Sequence, residues 1–245
     1  MFELVISDEK TMDLRFLALI LKKEVAQCKG ICVCDVFADR NRIVAAVPEK
    51  FEQYFLARVR EEVANFIAVE HKYRYFLNNL PMPILDDFNK SAFCSALAVF
   101  DKETDKKYCL EHLKFFDEIN IDSAIAFCMP LLFERWNEII ELVKSNFVEL
   151  SLSGGAVEMM KFLIRSSGVE SSRIVVEKNL GCRIRNESGD VLFDFDEENE
   201  SRLIHALVCL LPKEVVVVGK NTFRIDEVFD DRIRVVDENK IDLVK

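Results

Sequence analysis

Glycine and proline are scarce: seven and five in 245 residues. Long structureless linkers are therefore not expected. Positive charge is in the minority, with 33 lysines and arginines against 43 aspartates and glutamates, a formal charge of −10. That balance opposes nonspecific attraction to nucleic acid or anionic membranes, and no direct nucleic-acid contact is expected. The longest uncharged apolar run, residues 124–133, falls far short of the roughly 20 residues that a membrane-spanning helix needs. The opening MFELVISDEK lacks the basic and then apolar order of a signal peptide, so the expected address is the cytosol. Tryptophan occurs once, at Trp136, and histidine three times, at His71, His112 and His205.

The eight cysteines, at 28, 32, 34, 94, 109, 128, 182 and 209, show no pairing typical of a zinc site. Cys28-x3-Cys32-x-Cys34 is the densest group, but no second close cluster or histidine pair accompanies it, and no metal site is assigned. With no export signal, the thiols are expected to stay reduced. No cofactor motif is complete either. The loop Ser151-Leu152-Ser153-Gly154-Gly155 precedes a helix yet lacks the Walker spacing and its Lys-Ser/Thr ending. The acidic run from Asp194 to Glu200 has Asn199 where a calcium loop needs glycine and His205 where it needs glutamate. That run instead suits the N-terminus of the helix that follows.

What is present is a chain that is 50% hydrophobic and 31% charged, the balance of a folded protein. Residues 1–48 read as a small β-α-β-β module: strands over 2–6, 31–37 and 42–47, and an amphipathic helix over 13–26. Residues 49–168 read as a helical middle, apart from a short strand at 119–121. Residues 169–245 read as a C-terminal α/β module, with strands over 173–177, 181–185, 191–195, 215–218 and 233–236 and a helix over 199–211. The fold class is thus α+β.

Residues 119–165 hold the tryptophan, the longest helical periodicity and the longest apolar run. Phe133, Trp136, Ile140, Val143 and Phe147 share one helical face. Val157, Met160, Leu163 and Ile164 share a face of a second helix after Gly154 and Gly155. These two helices are expected to pack antiparallel as the central core. Burying one large apolar side chain there contributes about 1.5–3 kcal/mol. Pro130 either kinks the first helix or opens it.

Several side-chain groups invite a chemical reading, each with a plainer alternative. His205 and Cys209 stand one helical turn apart, as a thiolate–imidazole pair or as a packed histidine beside an inert thiol. Lys72-Tyr73-Arg74-Tyr75 mixes charge and aromatic rings, as a base-stacking patch or as a helix with packed stems and solvated charges. Cys32 and Cys34 lie on one face of a strand, where thiols act as small apolar groups. No catalytic residue is assigned.

Ile119-Asn120-Ile121-Asp122, Phe127, the charged amphipathic helix Trp136 to Phe147, the second helix Met159 to Arg165 and the strand Ile174-Val175-Val176 follow one another in an order that resembles the YtxC-like family of sporulation proteins. The tail is similar too, from Ala206-Leu207-Val208 through Leu211-Pro212-Lys213-Glu214 into Val215-Val216-Val217. The chain departs from the family pattern at Phe127-Cys128, where a Phe-Arg pair is usual, and at Gly154 to Ala156, where a Glu-Tyr is usual. The resemblance implies a cytosolic role linked to sporulation and implies no reaction. The function expected is that of a non-enzymatic factor with a protein partner. The alternative is a small-molecule or nucleotide-binding enzyme using the C-terminal module, at the strand ends near 173–177 or 215–219, with Arg173, Arg183 or Arg185 around the ligand.

Overall fold

The computed structural model describes residues 1–9, 11–37, 40–83, 85–113, 118–146, 154–168, 171–178, 181–195, 199–218, 224–229 and 232–236. Its fold is α+β. The chain forms two compact units, each discontinuous in sequence. One holds Met1–Lys72 and Lys102–Ile139, the other Tyr73–Asp101 and Ile140–Lys245. The boundaries near 48 and 168 mark changes of element type along the chain, and neither is an edge of a compact unit.

The first unit is built on a four-stranded sheet in the order β2-β3-β1-β4. Its strands are β1 (Phe2–Glu9), β2 (Ile31–Phe37), β3 (Arg40–Val47) and β4 (Glu118–Asn120). β1 and β2 pair antiparallel with β3, and β4 runs parallel to β1. Helix α1 (Arg15–Gln27) packs on β2 and β3 through a buried face that includes Leu17, Leu21 and Val25. Gly30 lets the chain pass from α1 into β2, because a Cβ there would strike the Ala46 carbonyl oxygen and the Val25 and Val47 side chains.

A continuous helical run follows: α2 (Glu52–Phe66), one π-helical turn (Ile67–His71) and α3 (Lys72–Asn79). Helix α5 (Lys102–His112) packs on α2 and on the π turn. Asn120 at the end of β4 caps α6 (Ile121–Cys128) by accepting the Ser123 N–H. Pro130 opens the next helix, α7 (Pro130–Ser145), where its missing N–H costs nothing.

A buried carboxylate joins these helices. Asp105 on α5 has no solvent exposure, and neither has Lys72. Asp105 Oδ2 accepts from Lys72 Nζ at 2.8 Å and from Trp136 Nε1 at 2.9 Å, while Arg135 Nη1 lies 2.7 Å from Oδ1. Trp136 is buried as expected, and Phe133 meets it edge-on. Lys72 therefore offers no charge to nucleic acid.

The second unit has a five-stranded sheet in the order β7-β6-β5-β8-β9, from β5 (Ser171–Lys178), β6 (Cys182–Asn186), β7 (Val191–Phe195), β8 (Pro212–Val218) and β9 (Ile233–Val236). β5, β8 and β9 are parallel, and β6 pairs antiparallel with β5 and β7. Gly189 makes the left-handed turn between β6 and β7. Val215 to Val218 are all buried, as their uninterrupted apolar run requires.

The central helix of this unit is α4 (Asp87–Phe100), buried on every side from Ser91 to Val99. Helices α8 (Gly155–Ser166) and α9 (Glu200–Leu210) both pack on α4. The second helix of the expected antiparallel pair thus takes α4 as its neighbour, and α7 starts in the other unit. The small residues Ser91, Ala92, Cys94, Ser95, Ala96 and Ala98 let neighbours approach α4 closely, a property that a search for large periodic side chains overlooks.

Two measurements test these anchors. Removing one partner of a buried ion pair costs about 3–5 kcal/mol, so Asp105→Ala is expected to lower unfolding stability in urea by that amount. The double change Lys72→Met with Asp105→Leu is expected to cost less than Asp105→Ala alone. Asp86 begins α4, accepting the Asn89 N–H at 2.9 Å and an ion pair from Arg224 at 2.5 Å. The Asn89 N–H first, and then Arg224, hold its carboxyl below the ordinary range. Its stabilisation is complete above the unfolded carboxylate value and is lost as pH falls through the lower folded value. Asp86→Ala is expected to cost about 1 kcal/mol near neutral pH, with the gap from the parent narrowing in acid.

Candidate functional site

The sheet of the first unit has two unlike faces, because successive side chains alternate sides. Leu4, Ile6, Ile43, Ala45, Val47 and Ile119 are buried on one side. On the other, register sets three cross-strand rows. Val33, Val44 and Val5 form the middle row. Ile31, Ala46 and Glu3 lie toward one end, and Asp35, Arg42, Ser7 and Asn120 toward the other. Ile31 is 65% exposed, Val33 53% and Val44 42%. Glu3, Asp35 and Glu118 are exposed around them. The outer face is therefore an apolar strip with an acidic rim.

The far end of this sheet carries a second group. Asp8 has no exposure, and its Oδ2 lies 2.6 Å from His71 Nε2. Its Oδ1 accepts the Glu9 N–H. His71 comes from the π turn and meets Phe66 edge-on. Beside them in the register, Arg40 makes a bidentate pair with Asp122, and Asn41 donates to the Met12 carbonyl. A buried carboxylate that orients an imidazole is the supporting half of an acid–base site. Here it also fastens β1 to the π turn. Asp8 was missed because the strand was read as ending at Ile6, whereas it runs to Glu9 and keeps Asp8 on the inward face with Leu4 and Ile6. Its pairing with His71 was missed too, because 63 residues separate them.

His205 lies in the second unit. Its Nδ1 is 2.8 Å from Ser95 Oγ, which donates its own hydrogen to the Ser91 carbonyl. Nδ1 is then the donor to Ser95. Cys209 Sγ stands 3.7 Å from both ring nitrogens. Tyr73 stacks on the ring at 3.7 Å and reaches Ser91 Oγ, which donates to the Ser201 carbonyl. These contacts form a hydrogen-bonded packing network between α3, α4 and α9, with Cys209 beside the imidazole.

The arginines expected around a C-terminal ligand are paired within their sheet. Arg173 meets Glu214 at 2.6 Å, Arg183 meets Asp194 at 2.8 Å and Arg185 meets Glu177 at 2.9 Å. Of the loop 151–155, residues 151–153 lie outside the described residues, and Gly154 takes a left-handed conformation ahead of α8. In the acidic run, residues 196–198 lie outside the described residues, Asn199 caps α9 and Glu200 stands in its first turn.

Cys28 ends α1 and is buried, while Cys32 and Cys34 are half-buried on the inward side of β2. Burial pushes all three thiols up. Among the described residues, none of the three joins a group of His, Cys, Asp or Glu donors close enough to hold a metal. Cys128 is exposed at the end of α6. Among the described residues, no helix is long and apolar enough to cross a membrane.

The Asp8–His71 contact makes a stability prediction. His71→Ala leaves a buried carboxylate short of a partner and is expected to cost about 1–3 kcal/mol in chemical denaturation. Adding Asp8→Ala to that variant should recover part of the loss, since the two changes act on one interaction.

No protein-family model matches this chain, and neither a curated protein nor a solved structure does so.

Proposed function

We propose that this chain is a sporulation-associated cytosolic protein that acts by binding another protein and carries out no reaction of its own. The observation that carries the binding half is the outer face of the β2-β3-β1-β4 sheet. Val33, Val44 and Ile31 stand exposed there in adjoining rows, inside a rim of Glu3, Asp35 and Glu118. A contiguous apolar patch within a polar rim is the usual anatomy of a protein-binding surface. The acidic rim favours a partner with basic residues around an apolar centre. The sporulation half rests on the order of residues from Ile119 to Val176 and in the tail from Ala206 to Val217. Cys128 and Gly154 to Ala156 depart from that pattern, and none of them lies on the proposed face.

Affinity capture from sporulating cells tests the binding half. The parent chain is expected to retain a partner that Val44→Lys loses while keeping its helical and strand content by circular dichroism. Capture that Val44→Lys leaves unchanged would remove this face from the proposal. A deletion strain is expected to form fewer spores, and normal spore counts under several conditions would refute the sporulation half.

A further inference from the structure

Cys32 and Cys34 stand two residues apart on β2, so their side chains leave the strand on the same side. The register sets Cys32 across from Ala45 and Cys34 across from Ile43, both buried, which places the two thiols on the inward side of the sheet. β2 is the last strand of that sheet, and both thiols are half-buried there. Cα atoms two residues apart in a strand are about 6.6 Å apart. Two thiol arms on one side can lean together over that span and hold a single ion between their sulfurs.

Helix α1 packs on β2, and its Lys22 is exposed and acts on both thiols. Burial pushes Cys32 and Cys34 up, and the Lys22 ammonium is the leading pull in the other direction. Cys34 adds to the rise at Cys32. Asp13 and Asp35 add to it at Cys34, and Arg15 opposes it. Such a pair is costly to ionise alone and gains when a cation takes the place of its protons. The other thiols offer less. Cys94 and Cys109 are buried and pushed up to about 12, Cys28 is buried at the end of α1, and Cys128 stands exposed at the end of α6.

The number of donors selects the ion. Among the described residues, no third His, Cys, Asp or Glu completes a group with this pair. Structural zinc takes four ligands. Soft thiolates also favour monovalent copper, a closed-shell ion content with two ligands in a line. We infer that Cys32 and Cys34 form a two-coordinate site for monovalent copper, with Lys22 as its counter-charge. Binding replaces two S–H bonds with two S–Cu bonds and releases two protons, and the copper stays Cu(I) throughout. The bound unit carries one negative charge, which the Lys22 ammonium offsets. Its place on an edge strand leaves the sulfurs within reach of an incoming thiolate, so the ion can pass to or from another thiol site by exchange. Ile31 and Val33 leave β2 on the opposite side, so this site and the apolar face are tested separately.

Reduced, metal-free chain titrated under argon against the Cu(I) complex of bathocuproine disulfonate tests the site. The parent is expected to withdraw one Cu(I) per chain from the chelator. Cys32→Ser and Cys34→Ser should each abolish that uptake, and Cys128→Ser should leave it. Lys22→Glu is expected to weaken binding about tenfold, since it reverses the nearby charge. Copper X-ray absorption on the loaded parent should show two sulfur neighbours. Iodoacetamide labelling read by mass spectrometry should find Cys32 and Cys34 protected by Cu(I), a measurement on the parent that stands even where a serine variant fails to fold. A parent that takes no copper from the chelator overturns the inference. Uptake unchanged in both serine variants, or protection confined to other cysteines, does the same.

Discussion

The first unit depends on one carboxylate. Asp105 is closed to solvent, and a charge in that position is tolerable only if it is paired. Lys72 and Trp136 bond Oδ2, Arg135 makes an ion pair at Oδ1 without a hydrogen bond there, and they arrive from the start of α3 and from one turn of α7. The geometry of three helices is thereby fixed by a polar contact, while the apolar side chains around it would accept several packings. Trp136 is scaffold in this arrangement: its ring packs against Phe133 and its one donor is taken up by Asp105.

The second unit solves the same problem with neutral groups. Its central helix, α4, carries only small and apolar residues over its buried length, with Ser91 and Ser95 as the polar exceptions. Both hydroxyls find carbonyls, one on α4 itself and one on α9, and His205 and Tyr73 complete the set. Fully satisfied networks of this kind favour one helix register over its neighbours. Arg173, Arg183 and Arg185 are likewise each held by a carboxylate on an adjacent strand.

The sheet of the first unit is covered on one side, and its other side keeps an apolar strip open within an acidic rim. Such a strip loses free energy in water and regains it when covered.

Alternation and periodicity were enough to place the strands, most helices, the α+β class, the burial of Trp136 and the inward side of β2. These follow from local covalent geometry, which repeats every two or 3.6 residues. Pro130 opens a helix, one of the two roles its place in the sequence left open, and the cap of the helix before it falls on Asn120. Three-dimensional folding alone decided the rest. Asp8 found His71 across 63 residues, Asp105 found Lys72 and Trp136, and α8 found α4, because ion pairs and close packing depend on which distant segments meet. The two interleaved units, each made of separated stretches, are of that kind as well: no pattern confined to one stretch records which remote stretch completes its core.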